Sequence, residues 1–163
     1  MIAQQHCTAT PEETEALFAS LGRALAAAAR DAVVVLGLDG PLGAGKTHAV
    51  RGLVRGVDPS VADWVSSPTY AVLQAYPGDP PIAHLDVYRL EGADDLESVG
   101  FWDLLDEPGV VAVEWPTRVA EVLEALDIAV TIARDPESRS FTIEARSARG
   151  DALLSAWAAA EEA

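Results

Sequence analysis

Leu17, Phe18, Leu21 and Leu25 recur at the three-and-four spacing that puts apolar side chains on one face of an α-helix. Thr10, Pro11 and Glu13 precede them as a capping box with proline at the first helical position. Together these features predict an amphipathic helix over 11–29. The pattern then changes to the unbroken apolar run Val33-Val34-Val35-Leu36-Gly37-Leu38, as expected of a strand buried on both faces of a sheet. A glycine-rich stretch follows, and His48 to Arg55 reads as a second helix ending near Gly56 and Pro59. Further strands are predicted at 69–76, 81–88, 110–114, 127–134 and 139–146, the last two joined by the turn-prone Asp135-Pro136-Glu137-Ser138 as an antiparallel hairpin. Short helices are predicted at 94–106 and 117–125. A terminal helix begins near Gly150, with Leu153, Leu154 and Trp157 on one side. The expected fold is α/β: one domain over 1–163 with a mixed, mostly parallel central sheet flanked by helices and a C-terminal antiparallel hairpin.

Composition narrows the function classes. The 163 residues suit one ordinary domain, and no apolar run reaches the roughly 18 to 20 residues of a membrane span. The N-terminus lacks a basic start followed by an apolar core, so the expected compartment is the cytoplasm. Cys7 is the only cysteine and reads as an incidental thiol. A formal charge of −15 opposes a broad grip on a nucleic-acid backbone, so strong direct RNA or DNA binding is not expected. A nucleotide can still bind where backbone amides make the local field positive. Ten of the eleven basic residues are arginines, and the one lysine, Lys46, lies inside the glycine-rich stretch. A compact ammonium there suits a phosphate.

That stretch, Gly40-Pro41-Leu42-Gly43-Ala44-Gly45-Lys46-Thr47, satisfies G-x-x-x-x-G-K-[ST] in full and sits between a buried strand and a helix. Glycines let the backbone wrap phosphates with N–H groups, and the helix that follows points its positive end at the same charge. Lys46 would reach the β and γ phosphates and the Thr47 hydroxyl would ligate Mg²⁺, so ATP and Mg²⁺ are the expected ligands. The loop residues Gly40, Leu42, Gly43, Ala44, Gly45, Lys46 and Thr47, with His48 in the next turn, form the candidate nucleotide cradle.

Such a fold also needs a carboxylate at the end of a neighbouring strand, to hold metal or orient water. Ile82-Ala83-His84-Leu85-Asp86 and Val110-Val111-Ala112-Val113-Glu114 each end on one. One of Asp86 and Glu114 would hold the metal and the other orient or deprotonate a water, and the two roles can be exchanged. Ser67-Pro68-Thr69-Tyr70 occupies the position of a switch segment, although alone it reads as a serine-proline turn. His84, inside an apolar strand, reads as a hydrogen-bonded structural residue. Seven carboxylates and no base between Glu91 and Glu107 read as a solvated face. Trp115 stands apart from the other tryptophans because it adjoins Glu114.

GPLGAGKT, SSPTY, HLDVYRL and VEWP, in this order and spacing, resemble the bacterial TsaE (YjeE) family. The resemblance extends to the ATPEETEALFASLGRAL start, the ADDLESVGF stretch and the closing DIAVTI and RSFTIEA strands. It implies a small P-loop ATPase that binds the TsaD and TsaB proteins. Within that system TsaD makes N6-threonylcarbamoyladenosine at position 37 of tRNAs reading codons that begin with A, and ATP hydrolysis resets the complex. By the same resemblance Lys46 and Thr47 are the phosphate and Mg²⁺ residues, Thr69 the switch threonine, Asp86 and Glu114 the two functional acids, and Trp115 the nucleotide-proximal tryptophan. Two departures are visible: Pro41 where the family usually has Asp, and Thr117 where it usually has an acid or its like. Pro41 removes one amide from the outer edge of the loop.

A small-molecule kinase would share the loop but would need an acceptor pocket and an arginine-bearing lid, which is not evident. A GTPase would need an N-K-x-D-type segment, and the chain has no asparagine and no second lysine. A nucleotide-gated scaffold with negligible turnover is a third possibility. No internal arginine finger stands out, Arg89 being a weak candidate, so hydrolysis by the isolated chain is expected to be slow.

Overall fold

The computed structural model describes residues 1–41, 43–65 and 72–162. Its elements in chain order are β1 (Ala3–Thr8), α1 (Pro11–Ala29), β2 (Val33–Asp39), α2 (Lys46–Val57), β3 (Leu73–Tyr76), β4 (Ile82–Asp86), α3 (Ala93–Ser98), α4 (Phe101–Leu104), β5 (Gly109–Glu114), α5 (Ala120–Ala125), β6 (Ile128–Arg134), β7 (Arg139–Ala145) and α6 (Ala148–Glu162). Short 3-10 turns cover Pro59–Trp64 and Pro116–Arg118.

The strands form one sheet in the order β1-β7-β6-β2-β5-β4-β3. β2 pairs in parallel with β5 and β6, and β5 pairs in parallel with β4. β3 and β7 run against the rest, so five of the seven strands share one direction. The predicted hairpin is β6–β7, paired from Ile128↔Ala145 to Arg134↔Arg139.

β2 shows why a continuous apolar run belongs at the centre of such a sheet. Val34, Leu36 and Leu38 face one core with Phe18, Leu21 and Leu25 of α1, Val50 and Leu53 of α2, and Leu154 and Trp157 of α6. Val35 faces a second core with Leu96, Phe101 and Val122 of α3, α4 and α5. Each fully buried leucine or phenylalanine contributes roughly 1.5–3 kcal/mol. Helices α1 and α2 meet backbone to backbone: a Cβ on Gly52 would lie 2.4 Å from the Glu15 carbonyl oxygen, and one on Gly56 would lie 2.1 Å from that of Ala19.

Three features depart from the sequence expectations. β1 was not foreseen; it is an edge strand paired only with β7, and its residues are mostly exposed or half-buried. The helix expected at 94–106 is two short helices, because Gly100 adopts φ 82 and starts α4 anew. The helix expected at 117–125 is a 3-10 turn followed by α5, since Val119 is extended between them. The Thr10 cap is present, with Glu13 N–H donating to Thr10 Oγ1 at 3.1 Å, while the returning Glu13 carboxylate accepts from Ala9 N–H, one residue before the cap, at 2.6 Å. Among the described residues no helix is long and apolar enough to cross a membrane.

Candidate functional site

The parallel strands β2, β5 and β4 end side by side, and each ends on an acid or next to one. Leu38, Glu114 and Asp86 are register partners across the three strands, and Asp39 follows Leu38. The glycine loop leaves β2 at this edge and enters α2. Gly43 (φ 76) and Gly45 (φ 106) occupy left-handed backbone that a side chain would strain. Gly45 caps α2 without a side-chain hydrogen bond, which leaves the first N–H groups of the helix without a side-chain acceptor where the loop enters it. Ala44 is buried, and its N–H donates to the Pro41 carbonyl at 3.1 Å, closing the loop as a turn.

Lys46, 7 % exposed, donates from Nζ to the Gly40 carbonyl at 2.5 Å and lies 3.7 Å from the centroid of the Trp115 ring. Burial lowers the pKa of its ammonium from the ordinary lysine range, against the opposing pull of Glu114, Asp39 and Asp86. Three carboxylates act on a single ammonium, a local excess of negative charge that would attract a divalent cation, while the phosphates would be met by Lys46 and the loop amides. Among the described residues no three His, Cys, Asp or Glu side chains converge as a metal-binding group. An ion held by Thr47 and Asp86 or Glu114 would therefore complete its shell with phosphate oxygens and water.

Trp115 holds its place at a conformational cost. Its backbone is left-handed (φ 61, ψ 45), a conformation that costs a residue other than glycine about 1–2 kcal/mol. Its N–H donates to the Leu38 carbonyl at 3.1 Å, Tyr88 packs on its ring with centroids 5.0 Å apart, and Arg118 Nε donates to the Tyr88 carbonyl. This tie across β2, β4 and β5 sets the indole against Lys46. Asp86 accepts from Tyr88 N–H at 2.9 Å. Glu114, 4 % exposed, has its Oε2 2.6 Å from Nε2 of the fully buried His84.

A cavity of about 430 Å³ opens over the loop, lined by Gly43, Gly45, Lys46, Thr47, His48 and Glu114 on one side and by Ala9, Thr10, Pro11, Thr14 and Arg139 on the other. The second wall was not read from the sequence. Thr14 reaches it from α1, its Oγ1 2.7 Å from Thr8 Oγ1, while Arg139 donates to the carbonyls of Asp135, Ser138 and Gly43. Asp39 was also missed, although it carries the strand-terminal acid pattern that singled out Asp86 and Glu114. Half-buried His48 lies 3.4 Å from Glu15 of α1. Arg89 is exposed and does not line the cavity. Leu42, Ser67, Thr69 and Tyr70 lie outside the described residues. Of the other tryptophans Trp157 is buried, whereas Trp64 and Trp102 are exposed.

A family model described as "Threonylcarbamoyl adenosine biosynthesis protein TsaE" matches residues 8–141. The chain belongs to the TsaE family. Relatives named tRNA threonylcarbamoyladenosine biosynthesis protein TsaE include one from Bacillus subtilis, 38% identical over 85% of this chain and 83% of its own length. Another, from Mycobacterium leprae, is 39% identical over 76% of this chain and 78% of its own. The crystal structure of Bacillus subtilis YdiB superposes with a TM-score of 0.72 at 26% identity, covering 98% of this chain and 97% of that one. TsaE proteins are thus the context for the loop, the strand-end acids and the cavity: a family of tRNA threonylcarbamoyladenosine biosynthesis.

Proposed function

We propose that this TsaE-family chain binds ATP with Mg²⁺ and hydrolyses it in support of the TsaD–TsaB complex that forms N6-threonylcarbamoyladenosine on tRNA. The observation that carries the proposal is the buried Lys46 ammonium at the start of α2, under the electrostatic influence of Asp39, Asp86 and Glu114 at the ends of three adjacent strands. The open N–H groups of α2 and the glycine backbone would bind the phosphates. Lys46 spends one of its three donors on the Gly40 carbonyl, and the others would serve the β and γ phosphate oxygens. Thr47 and Asp86 would hold Mg²⁺, which offsets phosphate charge when bound. Glu114, at the inner wall of the cavity, would orient the attacking water and accept its proton. Ala9, Thr10, Pro11, Thr14 and Arg139 would form the nucleoside end.

Arg139 is engaged by backbone carbonyls, and no other arginine lines the cavity among the described residues. Turnover by the isolated chain should accordingly be slow and should rise when the partners are added. The test is phosphate release from ATP with and without purified TsaD and TsaB, together with mass spectrometry of tRNA nucleosides after depletion of the protein. Normal levels of the modified nucleoside without the protein would refute the tRNA role. Phosphate transferred to a small acceptor in place of water would favour a kinase.

A further inference from the structure

We infer that His84 is a positioning residue for Glu114, holding its carboxylate so that one oxygen is fixed and the other is presented to the cavity. The inference rests on the ATP-hydrolysis proposal above. His84 is on β4 and Glu114 on the adjacent β5; the imidazole is 0 % exposed, and its Nε2 lies 2.6 Å from Glu114 Oε2. A contact that short between buried groups is a charge-assisted hydrogen bond from Nε2–H to the carboxylate. Glu114 lines the cavity, so with Oε2 engaged, Oε1 is the oxygen left to meet a water there.

The second observation concerns the other ring nitrogen. His84 Nδ1 is buried with no hydrogen-bond partner among the described residues. An imidazole that served only to fill the core would leave this atom unsatisfied for no return. An apolar side chain would pack better against the apolar core on that face, which includes Ile82, Val110 and Ala112. The Nε2 bond supplies the return, because a carboxylate that must act on one water needs a single orientation.

The test compares His84→Met with His84→Gln. The two side chains are close in volume, but only glutamine carries an N–H that reaches the Nε2 position. With TsaD and TsaB present, His84→Met should lower kcat for ATP about 10- to 100-fold while the KM for ATP stays within about twofold. His84→Gln should recover most of the loss. Thermal melting checks that the variants fold; should His84→Met fail to fold, His84→Asn replaces it, because its amide stops near the Nδ1 position and should rank well below Gln. Wild-type kcat in His84→Met, equal losses in Met and Gln, or a raised KM at unchanged kcat would each overturn the assignment. A wild-type chain that hydrolyses no ATP with its partners would remove the ATPase proposal and this one with it. An active wild type beside an unimpaired His84→Met would remove this one alone.

Discussion

Replacing Gly52 with alanine should destabilise the protein, although alanine is the better helix former. In an open helix the exchange gains about 0.5–1 kcal/mol. Here the new Cβ would stand 2.4 Å from the Glu15 carbonyl oxygen, 2.9 Å from Phe18 Cβ and 3.0 Å from Glu15 Cα, where ordinary contact begins at 3.4 Å. Neither the backbone of α1 nor a Cβ can rotate away, so the helices must part by roughly 1 Å, and overpacking of this kind costs about 1–3 kcal/mol. Set against the helix gain, the net loss spans about 0–2.5 kcal/mol, and its midpoint of about 1 kcal/mol corresponds to a fall in Tm of about 2–4 °C for a chain of this size. Circular dichroism melting of the wild type and Gly52→Ala measures it directly. An unchanged or higher Tm would show that the α1–α2 seam has slack and that the close approach is not a constraint. Because α2 starts at Lys46 and α1 carries Thr14 and is capped by Thr10, the same shift should also weaken the proposed MgATP binding across the cavity.

Three further outcomes are expected. Gly92→Ser should raise Tm by about 1–4 °C, since Gly92 is extended, meets nothing within 4 Å and caps α3 without a side chain; a fall in Tm would contradict the capping argument. Lys46 has a folded-state pKa depressed by burial, so between that value and the unfolded value of about 10.4 the unfolded chain binds more protons. The stability of the wild type relative to Lys46→Met should therefore rise with pH through that window and be level below it, where both states hold the proton. A constant difference in denaturant titrations would show that the ammonium is not desolvated. Glu114→Gln should keep MgATP affinity within about threefold and lower kcat about 100-fold or more; loss of binding together with turnover would make Glu114 a structural residue.

The central strands, α1 and the glycine loop were legible because each carries its own local pattern: a capping box before a helical stripe, an apolar run of β-branched residues, and glycines where the backbone turns left-handed. Leu36 and Val35 could be assigned to a strand buried on both faces without knowing what would cover it. β1 was hidden, since Ala3 to Thr8 alternate without a strong apolar set and gain their order from β7, more than 130 residues away. Gly100 breaks a helix that its flanking apolar residues suggested. In the candidate site, Lys46, Asp86, Glu114 and Trp115 could be singled out from motif and strand end, and the fold brings them near one another. The wall formed by Thr10, Thr14 and Arg139 was not, because those residues meet the loop only through the packing of α1 and the curl of the β6–β7 turn. The His84–Glu114 contact depends on the pairing of β4 with β5, which no local pattern reveals.

Calorimetric titration of MgATP into the wild-type chain and into Lys46→Ala tests the proposed nucleotide site most directly. One saturable site in the wild type, weakened about 100-fold or lost in a folded Lys46→Ala, is the predicted result. Equal binding by both chains, or none by the wild type, would contradict an ATP site between Gly40 and Thr47.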